Sequence, residues 1–122
     1  MAIYGAWNLH KSLLPRFRGM SPNFYALLEG TKTVGATLHL LEEGFDTGDI
    51  LMQVEIPVTE NDGVYSLNQK TAEEGGKMIA KFFGSLDLMN IKAFPQPPGE
   101  WRNYSYPSRK DIQDFRKKKR RF

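Results

Sequence analysis

Asn8 and His10 stand two residues apart in the run Trp7-Asn8-Leu9-His10. In an extended chain, residues i and i+2 point to the same side. An amide and an imidazole would then face one place, with Leu9 turned into the core. An amide N–H is a fixed donor to an oxygen that gains negative charge. Imidazole titrates near neutral pH and can give or take a proton. The pair could therefore stabilise an oxyanion and move a proton. On spacing alone, the ordinary reading of Asn-x-His is a satisfied structural histidine.

Asp46 is the third candidate, set between glycines in Gly44-Phe45-Asp46-Thr47-Gly48. If its loop folds over the Asn8–His10 segment, the carboxylate could orient or charge-stabilise His10. The alternative is a turn aspartate bonded to its own backbone. Glu42, Glu43 and Asp49 read as solvated loop charges, and no metal-ligand spacing accompanies them. His39 reads as a core histidine or one behind the site. Arg16 and Arg18 flank Phe17 and could meet an anionic substrate or stand in solvent. Phosphate-cradling glycine motifs and serine-elbow motifs are absent.

The elements that must position these residues follow from periodicity. Ala2 to His10 reads as a strand, and Lys11 to Met20 as a loop. Ser21-Pro22 opens a helix, with Ser as the N-cap oxygen and Pro in the first turn. Phe24, Leu27 and Leu28 form its apolar stripe, and Gly30 closes it in the left-handed conformation. Thr33 to Leu41 alternates, with Val34, Ala36, Leu38 and Leu40 on one face and Thr37, His39 and Leu41 on the other. Asp49 to Val58 alternates too, with Ile50, Met52, Val54, Ile56 and Val58 inward and Gln53 and Glu55 opposite. Asn61 or Asp62 caps a long helix whose stripe is Val64, Leu67, Thr71, Met78, Ile79, Phe82 and Leu86. Gly75-Gly76 either breaks that helix or lets something pack close. Phe94 to Gly99 and Tyr104 to Pro107 are extended. Ser108 caps a short basic helix with Ile112 and Phe115 on one side.

The chain has 122 residues, 40% hydrophobic and 25% charged, enough for one small core. It has no cysteine, which excludes disulfides, a thiol nucleophile and a Cys-based zinc site. No apolar run is long enough to span a membrane and no signal-peptide pattern opens the chain, so a cytoplasmic location is expected. Of 17 basic and 14 acidic residues, eight and two lie between Arg109 and Arg121. The tail is therefore strongly basic and the remainder slightly acidic. Such a tail can bind phosphate, but no RNA-stacking motif accompanies it, and its ordinary reading is a solvated, frayed terminus.

Taken in order, three blocks are specific where each alone is not. They are Asn8-Leu9-His10-Lys11-Ser12-Leu13-Leu14-Pro15-Arg16-Phe17-Arg18-Gly19, then Gly35-Ala36-Thr37-Leu38-His39, then Gly44-Phe45-Asp46-Thr47-Gly48-Asp49-Ile50-Leu51-Met52-Gln53. Together, over roughly residues 5 to 58, they resemble the folate-dependent formyltransferase family. The resemblance implies an α/β, partial Rossmann-like fold of about three strands with two or three helices. Residues 1–107 would form part of a catalytic domain and 108–122 a basic helix or tail. It implies formyl transfer from 10-formyltetrahydrofolate, as donor substrate, to an amine, with no metal. Asn8 would bind the formyl oxygen, His10 would stabilise the tetrahedral oxyanion, and Asp46 would pair with His10 and help take the amine proton. Ser12 would hold His10 from behind, and His39 would stand behind the site. The backbone from Leu40 through Leu41, Glu42 and Gly44 to Asp46 would line the pterin pocket.

Two departures from the family pattern are visible. Lys11 replaces a usual proline. The family's N-terminal parallel-sheet half, which carries much of the acceptor surface, has no counterpart before Asn8. Without it the first strand is an edge, which predicts a homodimer or a partner chain paired there. Retention of Asn8, His10 and Asp46 favours an enzyme completed by association. The missing half favours a non-catalytic binding module, and the sequence leaves the two open, along with the identity of the amine.

Overall fold

The computed structural model describes residues 6–41, 46–84 and 92–122. In chain order the elements are β1 (Trp7–His10), β2 (Arg18–Gly19), α1 (Pro22–Glu29), β3 (Thr33–Leu40), β4 (Ile50–Pro57), α2 (Val64–Gly84), β5 (Asn103–Tyr104) and α3 (Arg109–Lys117). The fold is α/β. β1, β3 and β4 form an antiparallel sheet in the order β1-β3-β4, and β2 pairs with β5 in parallel. The expected strand from Ala2 is described from Trp7 on, and Leu86 of the expected α2 stripe also lies outside the described residues.

β3 is the central strand and is buried along both faces, from Val34 to Leu40. Its apolar face packs on α2. A Cβ on Gly75 would come within 2.9 Å of Leu9 Cδ2 and 3.3 Å of the Ala36 Cβ. The α2 helix therefore runs unbroken through Gly75-Gly76, and Gly75 is the point of closest approach to the sheet. Leu38, Leu40, Leu51 and Met78 form the core there, flanked by Trp7 and Leu9.

One expectation for β4 is corrected. The β3–β4 register shifts between Leu38, opposite Met52, and His39, opposite Ile50. This bulge leaves Leu51 as the extra residue, and Leu51 is the one buried. Ile50 pairs with His39 instead of joining Met52 and Val54 on the α2 face. A bulge is invisible to a period-two pattern.

The helix starts also differ from expectation. Ser21 sits at the N-cap of α1 in the left-handed region, and its hydroxyl makes no capping bond. Asp62 accepts from the Thr59 N–H and hydroxyl, the Ser66 hydroxyl and the Lys70 ammonium, rather than from the helix backbone. Burial works against its charge, but these donors outweigh it and hold the Asp62 carboxyl at about 2. The first N–H groups of α2, those of Val64 and Tyr65, are met by the carbonyl oxygens of Arg121 and Phe122.

That contact belongs to a larger correction. The basic tail is not a frayed terminus. Ser108 and Asp111 form a capping box at the start of α3. Phe115 is fully buried and stacks on Phe24 at 4.6 Å between ring centroids. The lysines and arginines of α3 face outward, so charge and core come from opposite sides of one short helix. Burying an aromatic this completely dominates the cost of its removal. We predict that Phe115→Ala lowers unfolding stability by about 3–5 kcal/mol in denaturant titration. A change near zero would show the tail to be undocked.

Candidate active site

The β1–β3 register builds the site. Asn8 lies opposite His39, and His10 lies opposite Thr37. Directly opposed residues on antiparallel strands share a face. Asn8, His10, Thr37 and His39 thus gather on the side away from α2, while Leu9 turns to α2 as expected. Among the described residues no group of three His, Asp or Glu side chains could hold a metal ion.

Hydrogen-bond chemistry fixes where the ring protons sit. His39 Nδ1 is 2.9 Å from the Leu40 carbonyl oxygen, which can only accept. Its N–H is therefore on Nδ1, and Nε2 offers a lone pair. The Asn8 amide Nδ2 donates to that Nε2 at 3.4 Å. His10 Nε2 is 2.8 Å from the Phe17 carbonyl oxygen, so its N–H is on Nε2. His10 Nδ1 is then left bare, 3.5 Å from Asp46 Oδ1. The same Oδ1 is 3.7 Å from His39 Nε2.

Two acceptors therefore face each other with no donor between them, Asp46 Oδ1 and the bare His10 Nδ1, while His39 Nε2 beside them takes the Asn8 N–H. His10 is 8% exposed and His39 1%, so water screens this cluster poorly. Burial lowers the proton affinity of His10 below its ordinary value, 6.5. The bond to the Phe17 carbonyl and the charge on Asp46 push back, and His39 adds to the lowering. Near neutral pH the imidazole is uncharged. What the cluster lacks is a donor, and an N–H from a bound molecule would supply one.

Asp46 is carried into place by its loop. Its φ is 59°, in the left-handed region that aspartate tolerates. Its Oδ2 accepts the Gly19 N–H at 2.9 Å, so it is not a turn aspartate bonded to its own backbone. The loop lies tight on β3: a Cβ on Gly48 would sit 1.7 Å from the Leu40 carbonyl oxygen. Only glycine fits there.

Other expected residues are placed as follows. The Ser12 hydroxyl donates to the Arg16 carbonyl at 2.6 Å and does not hold His10. It shapes the loop that presents the Phe17 carbonyl. Leu40 is a core residue whose N–H bonds the Asp49 carbonyl and whose own carbonyl takes the His39 proton. Its side chain and N–H are thus engaged, while its carbonyl oxygen keeps a second lone pair. Leu41 is 56% exposed. Glu42 and Gly44 lie outside the described residues. Arg16 is exposed, whereas Arg18 bonds Gln96.

Four contributors carry no signal in the side-chain pattern that singled out Asn8, His10 and Asp46. The Phe17 carbonyl and the Gly19 N–H are backbone groups, which no side-chain pattern reveals. Thr37 pins the loop after β1: its hydroxyl donates to the Ser12 carbonyl at 2.7 Å and accepts from the Leu14 N–H at 3.1 Å and Gln53 Nε2 at 2.9 Å. Its position in the alternation, beside His39, was the available signal. Gln96 donates to the carbonyls of Asp46 and Gly48, far away in sequence, and nothing in the chain announced it. Thr37→Val keeps the shape but removes both hydrogen-bonding functions in a fully buried position. We predict a loss of about 1–3 kcal/mol in unfolding stability. An unchanged midpoint in denaturant would contradict the pin.

Comparison with known proteins places the chain in a family. A family model described as Formyl transferase matches residues 3–82. Methionyl-tRNA formyltransferase of Ehrlichia chaffeensis is 42% identical over 90 residues, which cover 73% of this chain and 30% of that protein. The enzyme of that name from a Geobacillus species is 39% identical over 103 residues, covering 84% and 32%. The formyltransferase PseJ from Anoxybacillus kamchatkensis was crystallised with UDP-4,6-dideoxy-4-formamido-L-AltNAc and tetrahydrofolate. It superposes with a TM-score of 0.73 at 30% identity, over 92% of this chain and 55% of that one. The N-formyltransferase from Helicobacter canadensis, in complex with folinic acid and dTDP-3-aminofucose, gives 0.75 at 28% identity, over 87% and 38%. The chain spans about a third of the length of the two methionyl-tRNA formyltransferases. With its Asn8–His10 strand, His39 strand and Asp46 loop inside the matched residues, this chain belongs to the formyl transferase family.

Proposed function

We propose that the chain carries the reacting centre of an N-formyltransferase that moves a formyl group from 10-formyltetrahydrofolate to an amine. The observation that carries this reading is the convergence of Asp46 Oδ1, His10 Nδ1 and His39 Nε2. An attacking amine must shed a proton, and two bare acceptors, Asp46 Oδ1 and His10 Nδ1, with no donor between them form a receptor for its N–H. The relatives crystallised with tetrahydrofolate and folinic acid support folate as the donor.

The roles follow from the bonds. Asn8 gives one amide N–H to His39; its second N–H is available to the formyl oxygen as that oxygen becomes an oxyanion. A preorganised donor of this kind is worth about 2.7–4 kcal/mol of barrier. The amine nitrogen bonds to the formyl carbon, and its surplus proton passes to His10 Nδ1 beside Asp46. The imidazolium so formed has both N–H groups met, by the Phe17 carbonyl and by Asp46. His10 can then return the proton to the folate nitrogen as the bond from that nitrogen to the formyl carbon breaks. The balance is a formamide and tetrahydrofolate. We place the pterin against Leu41 and the backbone at Asp46–Gly48.

β1 is an edge strand of the described sheet. We place there the surface at which a second copy or another polypeptide completes the site, because a free strand edge invites pairing.

Calorimetric titration with 5-formyltetrahydrofolate, an unreactive donor analogue, tests the function. Wild type should bind, and in a transfer assay Asp46→Asn should slow turnover by about 10²–10⁴. No heat at millimolar ligand would remove the folate reading for this chain. Sedimentation across a concentration series should show association; a strictly monomeric chain would contradict the role of the β1 edge.

A further inference from the structure

Gln96 belongs to the segment after α2 and lies outside the residues matched by the family model. Its side-chain amide is saturated. Nε2 donates to the Asp46 carbonyl at 2.7 Å and to the Gly48 carbonyl at 2.9 Å. Oε1 accepts from Arg18 Nη2 at 2.7 Å and Nε at 3.2 Å. Two carbonyls on one side and a guanidinium on the other leave no choice about which end is nitrogen. No other amino acid of this length offers two N–H donors and a forked acceptor in one plane.

The consequence is a closed ring. Gln96 grips the Asp46 loop by two carbonyls and grips Arg18 by its oxygen. Arg18 is bonded covalently to Gly19. The Gly19 N–H holds Asp46 Oδ2. Each side of the ring fixes the others, and Asp46 is its non-glycine member held at a positive φ. We propose that Gln96 is a positioning residue for Asp46: by bracing the 46–48 loop against Arg18 it sets where the Asp46 carboxylate stands relative to His10. Its importance for transfer rests on the formyl-transfer reading; the brace itself does not.

The test uses the fact that the chain has two histidines. Their ring C–H signals can be followed through a pH titration by NMR, with His39→Gln to assign them. Asp46 raises the proton affinity of His10 and His39 lowers it. Losing the brace should therefore move the His10 midpoint downward in Gln96→Met, the same direction as in Asp46→Asn. Arg18→Met should move it the same way by less, and Gln69→Met, a remote glutamine on α2, should leave it in place. A purely structural glutamine would lower the melting temperature and leave the His10 midpoint unmoved, and that result overturns the proposal. In a transfer assay Gln96→Met should lower kcat about tenfold with little change in the KM for the donor. Equal losses in a Gln69→Met control would also overturn it. If even wild type transfers no formyl group, the enzymatic reading fails, while the His10 midpoint still decides the brace.

Discussion

The structure turns on one carboxylate shared by three parts of the chain. Asp46 meets His10 of β1 and His39 of β3 through Oδ1, and the Gly19 N–H through Oδ2. One real donor, the Gly19 N–H, steadies it. His10 faces it with a bare Nδ1 lone pair, while the His39 Nε2 beside it takes the Asn8 N–H. In a poorly hydrated place such an arrangement is costly until a donor or a proton arrives. That cost is the physical root of the proposed function. It makes the site receptive to an N–H, and it makes the imidazolium formed on proton uptake a state with both of its donors satisfied.

The remaining structure can be understood as fixing that meeting point. The antiparallel register places Asn8 over His39, so the amide that would greet an oxyanion is itself aimed by a histidine tautomer. The bulge opposite Leu38/His39 brings Ile50 across from His39, close to where the loop leaves β4. Thr37 ties the turn after β1 to the central strand, and that turn delivers the Phe17 carbonyl. Gly48 allows the loop to lie directly on the Leu40 carbonyl. Behind the sheet, Gly75 lets α2 approach Leu9 and Ala36, which turns Leu9 inward and its two polar neighbours outward.

Much of this was legible in the sequence, for definable reasons. Alternation identified β3 and β4, and the i, i+2 rule put Asn8 and His10 on one side. The linked blocks around Asn8, His39 and Asp46 pointed to the family. What was not legible depended on contacts distant in sequence or on backbone atoms. Register cannot be read from a strand by itself, so the sequence places His39 in the core or behind the site without showing that Asn8 lies opposite it. The bulge reassigned Leu51 and Ile50. The tail misled because its charge dominates its composition, while its anchoring rests on one aromatic, Phe115. Gln96 sits in a Pro-rich stretch with no pattern of its own, and its meaning appears only when the 46–48 loop is beside it.

Receptivity to an N–H depends most directly on where the two imidazoles carry their protons. Long-range proton–nitrogen NMR correlations at neutral pH report the tautomer of each histidine. The structure predicts His10 protonated on Nε2 with Nδ1 bare, and His39 protonated on Nδ1 with Nε2 accepting from Asn8. A His10 that carries its proton on Nδ1 would already donate to Asp46. The cluster would then have no missing donor, and the basis for its receptivity to an amine would be contradicted.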